Sequence, residues 1–192
     1  MQTIQPAKLK PSVKKLTSAL SGEKNFELKW WQNALIGVGV SFLGSLSGSG
    51  SSKADRKIYT SKFKQAPWAP PAWIFAPAWT LNNYFLIKAI ERILSKKIPD
   101  KSKLLMLQGL IWTVFFSFNY VFFHKKSPVL ANLLTMADNV FAIASFIMAF
   151  RSDKKNAYNY LPLLLWTTFA STLSGYQALK NPDPVLKTKA LL

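Results

Sequence analysis

Cysteine is absent from this chain, and histidine occurs once, at His124. Disulfide frameworks, thiol nucleophiles and Cys-rich zinc sites are therefore closed to it, and a single histidine does not make a His-cluster metal centre. Acidic residues are scarce too: eight Asp and Glu face 25 Lys and Arg, for a formal charge of +17. No Ser-His-Asp set, paired-carboxylate cleft or Gly-rich phosphate loop stands out, so enzymatic chemistry is not the expectation. Charged residues make up 17% of the chain, below the roughly 25% usual in soluble domains.

What the chain has instead is apolar surface, with 49% hydrophobic residues, seven tryptophans and fourteen phenylalanines. Lysines gather between apolar blocks and not along one helical face. That placement suits loops meeting anionic headgroups, so membrane lipid is the expected partner and nucleic acid is not. Five apolar segments are legible, as helices at about 30–48, 71–94, 104–123, 128–150 and 158–180. Each is about 20 residues, roughly 30 Å as a helix, which matches the hydrocarbon core of a bilayer. A soluble bundle would need polar outer faces that these segments lack. The expected fold is an all-α integral membrane protein, a five-transmembrane-helix up-down bundle over residues 30–181.

Residues 1–29 read as a basic tail or an organelle-targeting segment, with an amphipathic element near Leu16–Leu20. No apolar core for a secretory signal precedes the first span. Residues 182–192 form a C-terminal tail. Lys and Arg number 14 on the side of the first tail and 10 on the other, Lys88 apart, which places the N-terminus on the cytoplasmic or equivalent side. The host membrane is expected to be plasma, mitochondrial, or plastid or thylakoid.

Within the first segment Gly37, Ser41 and Ser45 lie four apart, and Gly44–Gly48 repeats that spacing. Small residues so placed let a neighbouring helix, or a second copy of the chain, approach closely. The second segment is the most unusual: PWAPPAWIFAPAWTLNNYF, from Pro67 to Phe85. Pro70 and Pro71 suit a helix start, whereas Pro77 would free the carbonyl of Trp73 and bend the helix inward. Trp68, Trp73 and Trp79 are either interfacial anchors or stacking faces for a flat apolar ligand. Asn82 and Asn83 are costly against lipid and should bond across helices or enter a cavity.

In the third segment Gln108, Trp112 and Asn119 share a face expected to point inward. Asp138, about ten residues into the fourth, falls near mid-bilayer, where a charged carboxylate is expensive. It should be protonated or paired with donors such as Asn139, Gln108 or Asn119. Three readings remain open for it: an interhelical hydrogen bond, a ligand or proton site, and a partner contact. Tyr176 and Lys180 fit a loose sterol-contact pattern over Leu173–Lys180, one that arises often by chance at helix ends, and suit snorkelling at the interface better.

Trp68-Ala69-Pro70-Pro71-Ala72-Trp73-Ile74-Phe75 followed by Pro77-Ala78-Trp79 resembles the hallmark of the tryptophan-rich sensory protein (TspO/MBR) family, also called the translocator or peripheral-benzodiazepine-receptor family. Pro162, Trp166, Phe169-Ala170 and Leu173 resemble its fifth-helix motif, and Asn181 stands where its terminal asparagine is expected. The likeness covers about residues 30–181. It implies an intramembrane cavity for porphyrins, sterols or other lipid-like ligands, built here from Trp68, Trp73, Trp79, Trp166 and Phe169, with Asn82 and Asn83 orienting the ligand. Family roles of transport, sensing, scavenging and porphyrin breakdown come with it.

Departures cluster in the middle of the chain. Phe115 and Phe118 occupy positions where the family has Asn and Trp, a fourth-helix Trp falls near Asp138 and Asn139, and Asn83 replaces a Tyr. These losses support a second expectation: a structural subunit or assembly factor of a larger membrane complex that no longer binds a ligand.

Overall fold

The computed structural model describes residues 27–48 and 52–192. The basic tail and its amphipathic element lie outside them, except for residues 27–29. Among the described residues the regular elements are helices. Helix α1 spans Trp30–Ser45. A short α2, Ser52–Lys57, runs into a π turn at Ile58–Lys62. A 3-10 turn at Ala72–Ile74 leads into α3, Phe75–Ser95. Helix α4, Lys101–Asn119, continues as a π turn through Tyr120–His124. Helices α5, Pro128–Ser152, and α6, Lys154–Lys180, complete the order.

The five long helices pack in a ring. Helix α1 lies against α3, α3 against α6, α6 against α5, α5 against α4, and α4 closes back on α1; the α5–α6 contact is the most extensive. Short connections make sequence neighbours antiparallel, so the C-terminal ends of α1, α4 and α6 share one end of the bundle with the N-terminal ends of α3 and α5.

The interior is mixed: an apolar cluster including Leu86, Ile93, Leu104, Ile111 and Leu163 lies beside buried amides and hydroxyls. Asn33, Asn82, Asn83, Gln108, Thr167 and Gln177 are buried, while Leu35, Phe42, Met106, Leu133, Val140 and Leu165 are exposed. Buried amides within an apolar coat suit a molecule surrounded by lipid and not by water. Two helices, Lys101–His124 and Pro128–Ser152, are long and apolar enough on average to cross a membrane.

Three boundaries differ from the sequence expectation. Helix α1 stops at Ser45, short of Gly48: the amides of Leu46, Ser47 and Gly48 bond three residues back, and the Ser47 hydroxyl donates to the Gly44 carbonyl at 2.8 Å. Helix α6 begins at Lys154, because the Asp153 carbonyl accepts from the amides of Asn156 and Ala157; Pro162 thereby becomes an interior proline. Pro77 falls nearer the helix start than expected. Pro71 is extended, the chain enters by the 3-10 turn, and α3 starts at Phe75. Pro77 therefore lies in the first turn, where its missing amide has no intrahelical partner to lose.

The small residues of α1 do bring helices close. A Cβ added at Gly37 would sit 3.1 Å from the Tyr84 backbone nitrogen of α3, and one at Gly44 would meet the Phe115 ring of α4 at 2.5 Å. At the opposite end, Arg92 grips Asp153 through Nε and, at 3.0 Å, through Nη2. This joins the end of α3 to the α5–α6 turn. The Arg92 hydrogen bond, outweighing burial, holds the Asp153 carboxyl below its ordinary range, with the charges of Arg92 and Lys96 adding to it.

A carboxyl whose folded pKa is depressed stabilises above its unfolded value and loses that contribution as pH falls through the folded one. Asp153→Asn should therefore lower stability at neutral pH by about 1–2 kcal/mol, since the pair is only partly shielded. The gap to the unsubstituted protein should close as pH falls below about 4, near the unfolded carboxyl value. Melting in detergent across pH measures it, and a gap undiminished at low pH would contradict the assignment.

Candidate functional site

At the end where α1, α4 and α6 finish, a cavity of about 470 Å³ opens between the helices, within the usual range of ligand pockets. Aromatic side chains dominate its wall. Trp73, Phe75 and Trp79 come from the 3-10 turn and α3; Phe115, Phe118 and Phe122 come from α4 and its π turn; Phe42 and Tyr59 add α1 and the turn after α2. The rings support one another: Trp79 and Phe115 have centroids 4.9 Å apart, Tyr59 meets Phe75 edge-on at 5.3 Å, and Phe118 stacks on Phe122 at 5.6 Å. Ser41, Thr135, Ser174 and Gln177 are among the polar groups of the wall.

The connection between α1 and α3 lies over this end and is tied down by polar bonds. Asn181 Oδ1 accepts from the Lys64 amide at 2.7 Å while its Nδ2 donates to the Lys64 carbonyl at 3.1 Å. Gln177 Nε2 donates to Gln65 Oε1, and the Tyr59 hydroxyl donates to the Pro70 carbonyl at 3.1 Å. Beyond Asn181 the chain stays attached. The Asp183 carboxylate accepts from the Ser127 hydroxyl and the Val129 amide at the start of α5, and from the amides of Val185 and Leu186. Burial pushes this carboxyl up, but those hydrogen bonds prevail and hold it below its usual range.

Of the eight residues singled out from sequence, Trp73 and Trp79 lie on the cavity wall. Trp166 stands behind it, edge-on to Phe75 at 5.5 Å and 6.0 Å from Phe169. Phe169 points partly outward, and Trp68 is half exposed. The Trp68 indole donates to Thr172 Oγ1 at 3.2 Å and meets Tyr176 edge-on at 5.6 Å, so it fastens the connection to α6.

Asn83 is fully buried and bonds across helices: its Nδ2 donates to Ser41 Oγ at 3.0 Å, and its Oδ1 accepts from the Trp112 indole at 3.4 Å. Asn82 is buried with its Nδ2 unbonded. The partners expected for Asp138 are engaged elsewhere. Asn139 donates to Thr167 and Thr168, Gln108 accepts from the Tyr160 hydroxyl at 3.0 Å, and Asn119 donates to the Gly44 carbonyl at 2.9 Å. Asp138 is buried with Oδ1 unbonded, one helical turn beyond Thr135 of the wall.

Sequence reasoning passed over Tyr59, Phe42, Phe122 and Gln177. Tyr59 sits in a Ser- and Lys-rich stretch where no periodicity marks it. Gln177, one turn before Asn181, carried a readable signal as an amide near a helix end.

The model of the TspO/MBR family matches residues 34–179. The chain belongs to the TspO/MBR family. It is similar to the tryptophan-rich protein TspO of Chlorobaculum tepidum, with 22% identity over 147 residues, covering 76% of this chain and 93% of that protein. Membership makes the chain an integral membrane protein, in keeping with its apolar coat. The family match stops just short of Asn181, the residue that holds the connection closed.

Removing that clamp with Asn181→Ala should free the connection without unfolding the bundle. Its lysines, protected when the segment is held down, should then be cut by trypsin roughly tenfold faster, as expected for losing about 1–2 kcal/mol of local hydrogen bonding. Timed digestion with mass spectrometry reads this. Unchanged cleavage within residues 53–64 would show that the Asn181 pair is not what holds the segment.

Proposed function

We propose that α1, α3, α4, α5 and α6 all cross the bilayer and that the cavity between them binds a flat, largely apolar ligand of tetrapyrrole or sterol type, for sensing or transport. The observation that carries this reading is the aromatic cavity itself, roofed by a segment clamped at Asn181 and Gln177. Helices α3 and α6 are too polar on average to pass as spans, and yet their polar residues Asn82, Asn83, Thr167, Ser174 and Gln177 are buried. Average hydropathy counts both faces, whereas lipid meets only the outer one. Family membership favours receptor or transport roles over catalysis.

In this reading Trp73 and Trp79 offer ring faces to the ligand, and Phe115 and Phe118 close the opposite side. Trp166 backs Phe75, and Trp68 seals the roof. Asn83 fixes α3 against α1 and α4 and so holds Trp79 one turn away in place. Stacking on aromatic faces supplies the affinity, and exclusion of water from the roofed cavity strengthens each polar contact.

Titrating the protein in nonionic detergent with protoporphyrin dimethyl ester, a neutral flat tetrapyrrole, should quench tryptophan fluorescence saturably. Trp79→Ala should weaken that binding about threefold to tenfold, the worth of one aromatic contact. Absence of saturable quenching would sink the ligand reading. Isolation in gentle detergent as a stoichiometric assembly would then support the alternative of a complex subunit that has lost its ligand.

A further inference from the structure

The charge on the cavity wall runs against the charge of the chain. Lys and Arg outnumber Asp and Glu by 25 to eight. Among the described residues lining the cavity there is nevertheless no Lys, Arg or His, and the one carboxylate is Asp55. The element that turns Asp55 inward is the roof. Asp55 and Tyr59, four residues apart on α2 and its π turn, face the cavity, while Lys57 and Lys62 of the same segment line a separate outer cleft with His124 and Lys126. One short helical segment thus sorts its charges: carboxylate in, ammonium out.

The remaining wall has the same electrical sense. Nine of its residues are aromatic, and a ring face presents the negative side of its quadrupole, which attracts cations and repels anions. Lys57 and Lys62 face the outer cleft, so among the described residues no cation lines the cavity, while the wall groups touch a ligand directly.

We infer that the cavity selects by charge, taking flat apolar ligands whose inserted part is neutral or cationic, such as an aromatic amine or quaternary ammonium, and rejecting those that would carry a carboxylate inside. This deepens the proposed ligand-binding function and rests on it. An amphiphile with carboxylate arms would have to leave them at the mouth, so a free dicarboxylic porphyrin is a poorer ligand than its ester.

A matched series tests this with one ring and varied arms: protoporphyrin as the free dicarboxylate, as its dimethyl ester, and as bis-amides with tert-butyl-ended or isosteric trimethylammonium-ended arms. Affinities are read by tryptophan quenching in nonionic detergent. The dicarboxylate should bind about tenfold more weakly than the ester, and the trimethylammonium amide about tenfold more tightly than its tert-butyl isostere. Asp55→Asn should shrink both ratios to about threefold, while Lys62→Gln, on the outer face of the same segment, should leave them unchanged.

Equal or tighter binding of the dicarboxylate, or no preference between the isosteres, overturns charge selection while leaving ligand binding intact. Failure of every member to bind, the neutral ester included, overturns the ligand-binding reading itself. Because the series is measured on the unsubstituted chain, neither outcome depends on how well a variant folds.

Discussion

Asn83 has no exposed surface, and both ends of its amide are taken by other helices: Ser41 of α1 accepts from it, and Trp112 of α4 donates to it. In lipid an amide has no water to fall back on, so a helix carrying one is driven to pack where partners exist. The bond to Ser41 is short only because Gly37, one turn earlier on α1, brings that helix to the backbone of α3 at Tyr84. The amide and the glycine therefore act as one device. The glycine permits the approach and the amide sets its register. Trp79, one turn before Asn83, is thereby aimed at Phe115 on the facing side of the cavity.

The same constraint explains which parts of the fold were legible in the sequence. The five long helices and the small-residue stripe of α1 were readable because length and spacing are local properties. So was the polar face of α4, since Gln108 and Asn119 recur at helical intervals and both bond inward. The cavity wall was only half readable. Trp73 and Trp79 announced themselves through the proline–tryptophan pattern, while Tyr59 joins the wall solely because the connection folds back over the bundle. The Asp138 partners were misjudged for the same reason: nearness in the membrane does not tell which way Asn139 or Gln108 turns. Pro77 misled differently. Its effect depends on whether it falls in a first turn or a later one, and the 3-10 entrance that decides this is a matter of three residues.

The two departures on α4 fall on the cavity wall. Phe115 and Phe118 stand where the family resemblance puts an asparagine and a tryptophan, and both line the cavity. A ring at position 115 needs room, and Gly44 of α1 supplies it, since any side chain there would collide with that ring. Helix α1 ends one residue beyond, where Ser47 bonds both to Gly44 and to the Phe116 carbonyl of α4. Asn119 donates to the Gly44 carbonyl from the same helix. The α1–α4 seam is thus built around the larger ring, and exchanging Phe115 alone would leave a void against Gly44.

Replacing an amide by a phenyl ring removes a directional hydrogen-bonding group and adds dispersion and quadrupole in its place. A cavity altered in this way loses the power to read a particular polar atom on its ligand and gains affinity for extended apolar faces. The polar functions it keeps include Ser41, Thr135, Ser174 and Gln177 of the wall and Asp55 of the roof, on different helices from the altered positions. In the proposed reading the aromatic faces recognise shape and area, and the carboxylate of the roof recognises charge. Depth of insertion, in that reading, decides which part of a ligand meets rings and which meets the carboxylate.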